Sequence, residues 1–358
     1  MRDSFARLLS ERGDEGAVRK AMDTPAGYDL DLWEAMAEMG LLGVIIDPAY
    51  DGIGGDAELL EDLMEEAGKN LLCSPFISTS VLAASLITAS SDDGRKQELL
   101  PAICSGQQIV AVALTGEQGL WTGDDVDLDA EENDGSWSLN GTASFVLHAE
   151  AANLFLVVAK TGNGIRVFLV DPQVEGVKVK ALKANDPTLR ISKIMLSDCP
   201  AEELDGVGER EIARAMDFAR VALAGEQAGG TKQIFDITIE YLRTRHQFGR
   251  QIGSYQSLKH MAADMLIEVE TAASAARDAA RALATDADDA QILINLAAFA
   301  CADAYRDVSA QAIQLHGGIA YTWEHSAHLY WRRARTGMWL FGSSDHYREQ
   351  YLTQLEVA

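Results

Sequence analysis

The chain has 358 residues, nearly half of them apolar, enough for two or three compact units with a substantial buried core. Its formal net charge of −25 opposes binding to nucleic acid or to an anionic membrane surface, because a negative field repels polyphosphate and lipid head groups. No run of eighteen apolar residues occurs and the N-terminus is charged rather than basic-then-apolar, so the expectation is a soluble, unexported, cytoplasmic protein.

Residues 1–104 read as helical. Leu32 to Gly43 carries apolar residues at helical spacing with a glycine-rich exit, and Pro48 to Gly55 reads as a loop. From about 105 to 207 the pattern changes to short runs rich in β-branched and aromatic residues, such as Ile109–Leu114, Phe155–Ala159 and Ile165–Val170, between glycine- and aspartate-rich turns. Residues Asp124 to Asp134 read as an acidic, water-facing loop. After Gly206-Val207-Gly208, residues 208–358 resume long helical patterns over Ile212–Leu242, Leu258–Ala284 and Ala290–Ile313. The predicted class is therefore α+β multidomain: an N-terminal helical domain, a middle β domain and a C-terminal helical bundle.

Four cysteines, Cys73, Cys104, Cys199 and Cys301, have no paired spacing, which fits reduced core thiols rather than disulfides or zinc. His325 and His328 form a His-x-x-His pair at the start of a helix, but with no third ligand in view they read as surface or interface residues, and no metal site is expected.

Two stretches in the predicted helical region carry the chemistry, Arg245-His246-Gln247-Phe248-Gly249 and Gln314-Leu315-His316-Gly317-Gly318. A guanidinium and a Gly-Gly turn suit a pyrophosphate, the first as a charge-assisted donor and the second by letting backbone approach closely. Capping offers another reading, with Arg245 at a helix C-terminus and the glycines ending a second helix. Together with the helical–β–helical order, these stretches resemble acyl-CoA dehydrogenases over nearly the whole chain; the run Glu240 to Gln256 is the most specific match, and Leu41 to Gly55 and Gln314 to Tyr321 follow in the correct order. The segment Gly317 to Tyr330 is similar to the bacterial branch that degrades steroid and cholesterol side chains as α2β2 heterotetramers.

That resemblance implies an acyl-CoA dehydrogenase fold with a C-terminal four-helix bundle. It implies FAD shared with a partner subunit, its adenosine end held by Arg245, Gln247, Phe248, Gln314, Gly317 and Gly318. The reaction removes a proton α to a thioester carbonyl and a β hydride, so it needs a carboxylate base. Where the family carries that glutamate in a loop, this chain reads Trp339-Leu340-Phe341-Gly342-Ser343; at the alternative helix position it reads Ala219-Arg220. Glu226 lies two turns beyond Ala219, roughly 10 Å along the axis, and Asp345 lies four residues past Phe341; they are the outside candidates for a relocated base. Their structural alternatives are a helix–helix contact for Glu226 and an N-cap for Asp345. On the flavin-ring side only Thr115 and part of the following turn match the family, and Leu147 replaces a threonine that hydrogen-bonds the flavin. The expected role is a non-catalytic, half-site subunit. It would work with a second, glutamate-bearing dehydrogenase chain, an acyl-CoA substrate and electron-transfer flavoprotein as acceptor. The alternatives are a self-sufficient homomeric dehydrogenase with a relocated base and a non-enzymatic scaffold.

Overall fold

The computed structural model describes residues 1–357. Helices come first: α1 (Arg2–Arg12), α2 (Glu15–Asp23), α3 (Leu30–Glu38), α4 (Ala57–Lys69), α5 (Ala84–Ala89) and α6 (Asp93–Cys104). Aspartates begin two of them, since the Asp29 carboxylate accepts the Leu32 amide at 2.9 Å and the Asp92 carboxylate accepts the Arg95 amide at 3.0 Å. Seven strands follow: β1 (Val110–Ala113), β2 (Asp127–Asn133), β3 (Ser136–Leu147), β4 (Leu154–Thr161), β5 (Gly164–Val170), β6 (Val177–Ala181) and β7 (Ile191–Glu203). The chain then returns to helix: α7 (Glu209–Thr244), α8 (Gln256–Ala284), α9 (Ala290–His316), α10 (Ala327–Gly337) and α11 (Ser344–Val357), with a hairpin of β8 (His246–Gln247) and β9 (Arg250–Gln251) between α7 and α8.

The folded chain divides into two interleaved compact units. One consists of Arg19–Asp56 and Cys73–Ala219 and contains the sheet, whose strands run β1-β4-β2-β3-β7-β5. An additional antiparallel β4–β5 pairing joins strands far apart in that order and closes β4, β2, β3, β7 and β5 into a ring, which removes their open edges. The acidic stretch is not a loop throughout, as β2 occupies Asp127–Asn133 and pairs in register with β3. Leu128 and Ala130 alternate inward between exposed aspartates, and Asp134-Gly135 turns the hairpin with both residues at positive φ. Its acidity is the solvent face of a strand.

The other unit consists of Met1–Val18, Ala57–Leu72 and the chain from Arg220 onward. Two helices, α1 and α4, thus belong with the C-terminal helices although they lie within the first seventy residues. Where α4 meets α7 the backbones touch: a Cβ on Gly68 would overlap the Glu226 carbonyl, and one on Gly229 would overlap the Glu65 carbonyl. Arg2 ties α1 to α4 through Asp62, Glu65 and Glu66 at 2.6–3.0 Å. Among the described residues, no helix is long and apolar enough to cross a membrane.

Candidate functional site

The Arg245 stretch is not helical. α7 ends at Thr244 and the chain folds into the β8–β9 hairpin, with Phe248 at φ +53° and Gly249 at φ +79° on its tip. Positive φ at both central residues is the two-residue hairpin geometry usually coded by Asn-Gly or Asp-Gly, and phenylalanine in the first place hides it. The hairpin is braced from below. The Ile252 amide donates to the Arg245 carbonyl at 2.8 Å, the Tyr255 hydroxyl donates to the Gln247 carbonyl at 3.4 Å, and the Arg250 guanidinium lies 3.9 Å over the Tyr255 ring. Phe248 is left 91 % exposed. The Arg245 side chain is exposed, with no carboxylate partner among the described residues.

Gln314, Gly317 and Gly318 lie at the end of α9 and in the 3-10 turn that follows. Gly317 ends the helix at φ +66°, and a Cβ on Gly317, Gly318 or Gly249 would meet nothing within 4 Å, so each backbone faces open space. The two motifs are joined at their roots. Tyr241, one turn before Arg245, stacks on His316 with ring centroids 4.5 Å apart, and its hydroxyl donates to the His316 carbonyl at 3.3 Å. His316 is fixed in turn by a 2.8 Å bond from Nδ1 to the Ala312 carbonyl, and burial pushes its pKa down, favouring the neutral ring. An exposed guanidinium, an amide side chain and open glycine backbone therefore lie on one braced framework that fits an anionic pyrophosphate. Sequence reasoning missed the Tyr241–His316 link, because the two residues are 75 positions apart and no local pattern joins them.

The loop between α10 and α11 contains no carboxylate before Asp345. Phe341 is 1 % exposed and sits at φ +63°, while Gly342 follows at φ +126°. The Tyr347 hydroxyl donates to the Phe341 carbonyl, and Arg220 Nε donates to Tyr347 Oη at 2.9 Å with its guanidinium 5.3 Å from the ring centroid. Arg220 thus anchors the loop through a tyrosine. Ala219 is fully buried.

Neither outside candidate is placed as a free base. Glu226 accepts from Arg333 at 2.8 Å, and Arg333 also donates to the Leu72 carbonyl at 3.1 Å, both charged side chains being buried. This agrees with the helix–helix alternative. Asp345 does not cap α11; the Ser343 hydroxyl accepts the His346 amide at 3.2 Å and takes that role, leaving Asp345 exposed and paired with Arg348 at 3.1 Å. Ser343 stands just before the helix, whereas Asp345 is already its second residue, so it is the serine oxygen that lies at capping distance.

In the sheet-bearing unit, Leu147 is buried at the end of β3. Asp125 does not face water. Its carboxylate accepts the Thr115 hydroxyl at 2.5 Å and the Leu120 amide at 2.9 Å, while its carbonyl accepts the Gly116 amide at 2.6 Å. Those bonds order residues 115–125, and they hold Trp121 buried at φ +58°. A charge count cannot distinguish a solvated aspartate from one that organises a turn.

Of the two histidines expected at a surface or interface, His328 is buried in this chain and His325 is half-buried. The His328 ring lies 4.8 Å from that of Trp323, and His325 Nδ1 accepts the Ala327 amide at 3.1 Å, at the start of α10. All four cysteines are buried and none forms a disulfide. Among the described residues, the one group of acids near enough to share a cation, Glu61, Asp62 and Glu65, is already faced by Arg2, Lys69 and Arg277.

The chain runs from helical to β to helical portions, with a braced framework of exposed donors on its last helices. Two family models match it, the acyl-CoA dehydrogenase N-terminal domain over residues 1–107 and the C-terminal domain over residues 206–355, and the chain belongs to the acyl-CoA dehydrogenase family. Acyl-CoA dehydrogenase FadE34 of Mycobacterium tuberculosis is 35 % identical over 95 % of this chain, which spans only 45 % of that relative's length. Acyl-CoA dehydrogenase IpdE2 of the same organism is 29 % identical over 93 % of this chain and 89 % of its own. Among solved structures, the Tcur3481–Tcur3483 steroid ACAD superimposes with a TM-score of 0.90 at 25 % identity, covering 100 % of this chain and 98 % of that one. The family is FAD-dependent and oxidative.

Proposed function

We propose that this chain is the non-catalytic, half-site subunit of a heteromeric FAD-dependent acyl-CoA dehydrogenase. The observation that carries the reading is the apolar base loop: Phe341 is buried, and the outside candidates Glu226 and Asp345 are engaged by Arg333 and Arg348. Neither carboxylate is presented to a thioester in place of the missing base: Glu226 is locked in a buried ion pair, and Asp345 sits on the exposed face of its helix beside Arg348.

In this reading Arg245, Gln247 and Gln314 donate to the adenosine-pyrophosphate end of an FAD, with Gly317 and Gly318 allowing its close approach and Phe248 covering it. The bound FAD supplies the hydride acceptor for α,β-dehydrogenation. The flavin-ring pocket and the carboxylate that takes the α proton belong to a second dehydrogenase chain, in an α2β2 arrangement, and electron-transfer flavoprotein reoxidises the complex. The substrate is a CoA thioester, with a steroid side chain favoured by the likeness to the Tcur3481–Tcur3483 steroid ACAD. The exposed framework supports the shared cofactor, since its donors face outward rather than into their own unit.

The test is turnover of a CoA thioester with an artificial electron acceptor. This chain alone should be inactive, and activity should appear on co-purification with a glutamate-bearing chain. Turnover by the purified chain alone would support the self-sufficient alternative instead.

A further inference from the structure

The base loop is held shut by side chains that the dehydrogenation chemistry does not require. Phe341 is among the largest fully buried side chains, and it is held at φ +63°, a conformation that a bulky residue rarely adopts without enforcement from its surroundings. The enforcement is visible. The Tyr347 hydroxyl bonds the Phe341 carbonyl, and the buried Tyr347 ring lies so close to Gly342 that any Cβ there would overlap it. Gly342 can follow the strained residue at φ +126° only because it lacks a side chain. On its other side the phenol accepts from Arg220 of α7, whose guanidinium also faces the ring at 5.3 Å. A chain of two hydrogen bonds therefore runs from α7 through α11 to the loop.

We propose that Tyr347, oriented by Arg220, is the positioning residue that holds Phe341 inside the helical unit, so that the loop of this chain is a fixed apolar plug. This rests on the half-site reading and deepens it, because it names what keeps the loop closed where a base would act. Removing the phenol oxygen takes the Tyr347 bond away from the Phe341 carbonyl and loosens the hold on the strained turn.

The test uses the complex with its partner chain. Phe341→Cys places a thiol at the plug, against a background of four buried native cysteines, and its reaction with a chromogenic disulfide reports how often the loop opens. Labelling should be slow in Phe341→Cys and more than ten-fold faster in Phe341→Cys with Tyr347→Phe, which keeps the ring and drops only the hydroxyl. Equal rates would overturn the proposal. Hydrogen exchange of the amides at 339–343 in Tyr347→Phe and in Arg220→Lys, with Phe341 intact, gives a second measure: faster exchange in both supports the latch, and wild-type exchange in both overturns it. The half-site reading fails separately, if the wild-type complex binds one thioester analogue on every chain rather than one per pair of chains.

Discussion

Glu226→Gln separates a structural carboxylate from a catalytic one. Its carboxylate and the Arg333 guanidinium are 2.8 Å apart with side-chain exposures of 9 % and 3 %, so the substitution leaves a buried cation facing a neutral amide. Breaking a buried pair from one side costs about 3–5 kcal/mol. The amide oxygen can still accept one bond and the Leu72 carbonyl still accepts another at 3.1 Å, which places the loss at the lower end, about 3 kcal/mol. At about 2–4 °C per kcal/mol for a unit of this size, the melting temperature should fall by roughly 6–12 °C. The assay is a circular-dichroism melt at neutral pH beside turnover of the heteromeric complex well below the transition. An unchanged melting temperature would refute the pairing argument. A loss of turnover by about 10²–10⁴, with flavin still bound and the fold intact, would identify Glu226 as a relocated base.

Arg245→Ala should weaken FAD retention by the complex about 10- to 100-fold, the worth of a charge-assisted bond, as read by flavin release on dilution; unchanged retention would remove Arg245 from the cofactor site. Burial, reinforced by Glu65 and Asp62, pushes the Glu61 carboxyl up to about 7. Because its folded pKa is raised, its proton-linked stability is complete below about pH 4.5, is lost between there and pH 7, and is absent above. Glu61→Gln should therefore flatten that part of the pH–stability curve, by at most about 3 kcal/mol, and an unaltered slope in denaturant titrations would contradict the assignment. Asp125→Ala should cost about 1–3 kcal/mol and speed amide exchange across residues 116–125, since it strips the acceptor from the Thr115 hydroxyl and the Leu120 amide.

What could be read in advance follows from the range of the interactions. The long helices were legible because a 3.6-residue period is local: the expected Leu258–Ala284 and observed Gln256–Ala284 share their C-terminal end. The hairpin at 246–251 was not, because its positive-φ tip is built from Phe248 and Gly249 rather than from Asn-Gly. The β2–β3 hairpin did carry the usual Asp134-Gly135 signal, but the density of aspartates before it masked the inward alternation of Leu128 and Ala130. Contacts between distant positions leave no periodic trace. Arg333 and Glu226 are separated by 107 residues and Arg220 and Tyr347 by 127, so the locking of the outside candidate and of the loop emerged only with the fold. The interleaving of α1 and α4 with the C-terminal helices is of the same kind.

The half-site claim is tested most directly by the flavin content of the purified chain, measured by absorption against protein concentration, alone and after co-expression with a glutamate-bearing partner. On the half-site reading, the chain alone should carry little or no FAD and the complex should be yellow, with fewer FAD molecules than subunits. Near-stoichiometric FAD on this chain alone would contradict the account.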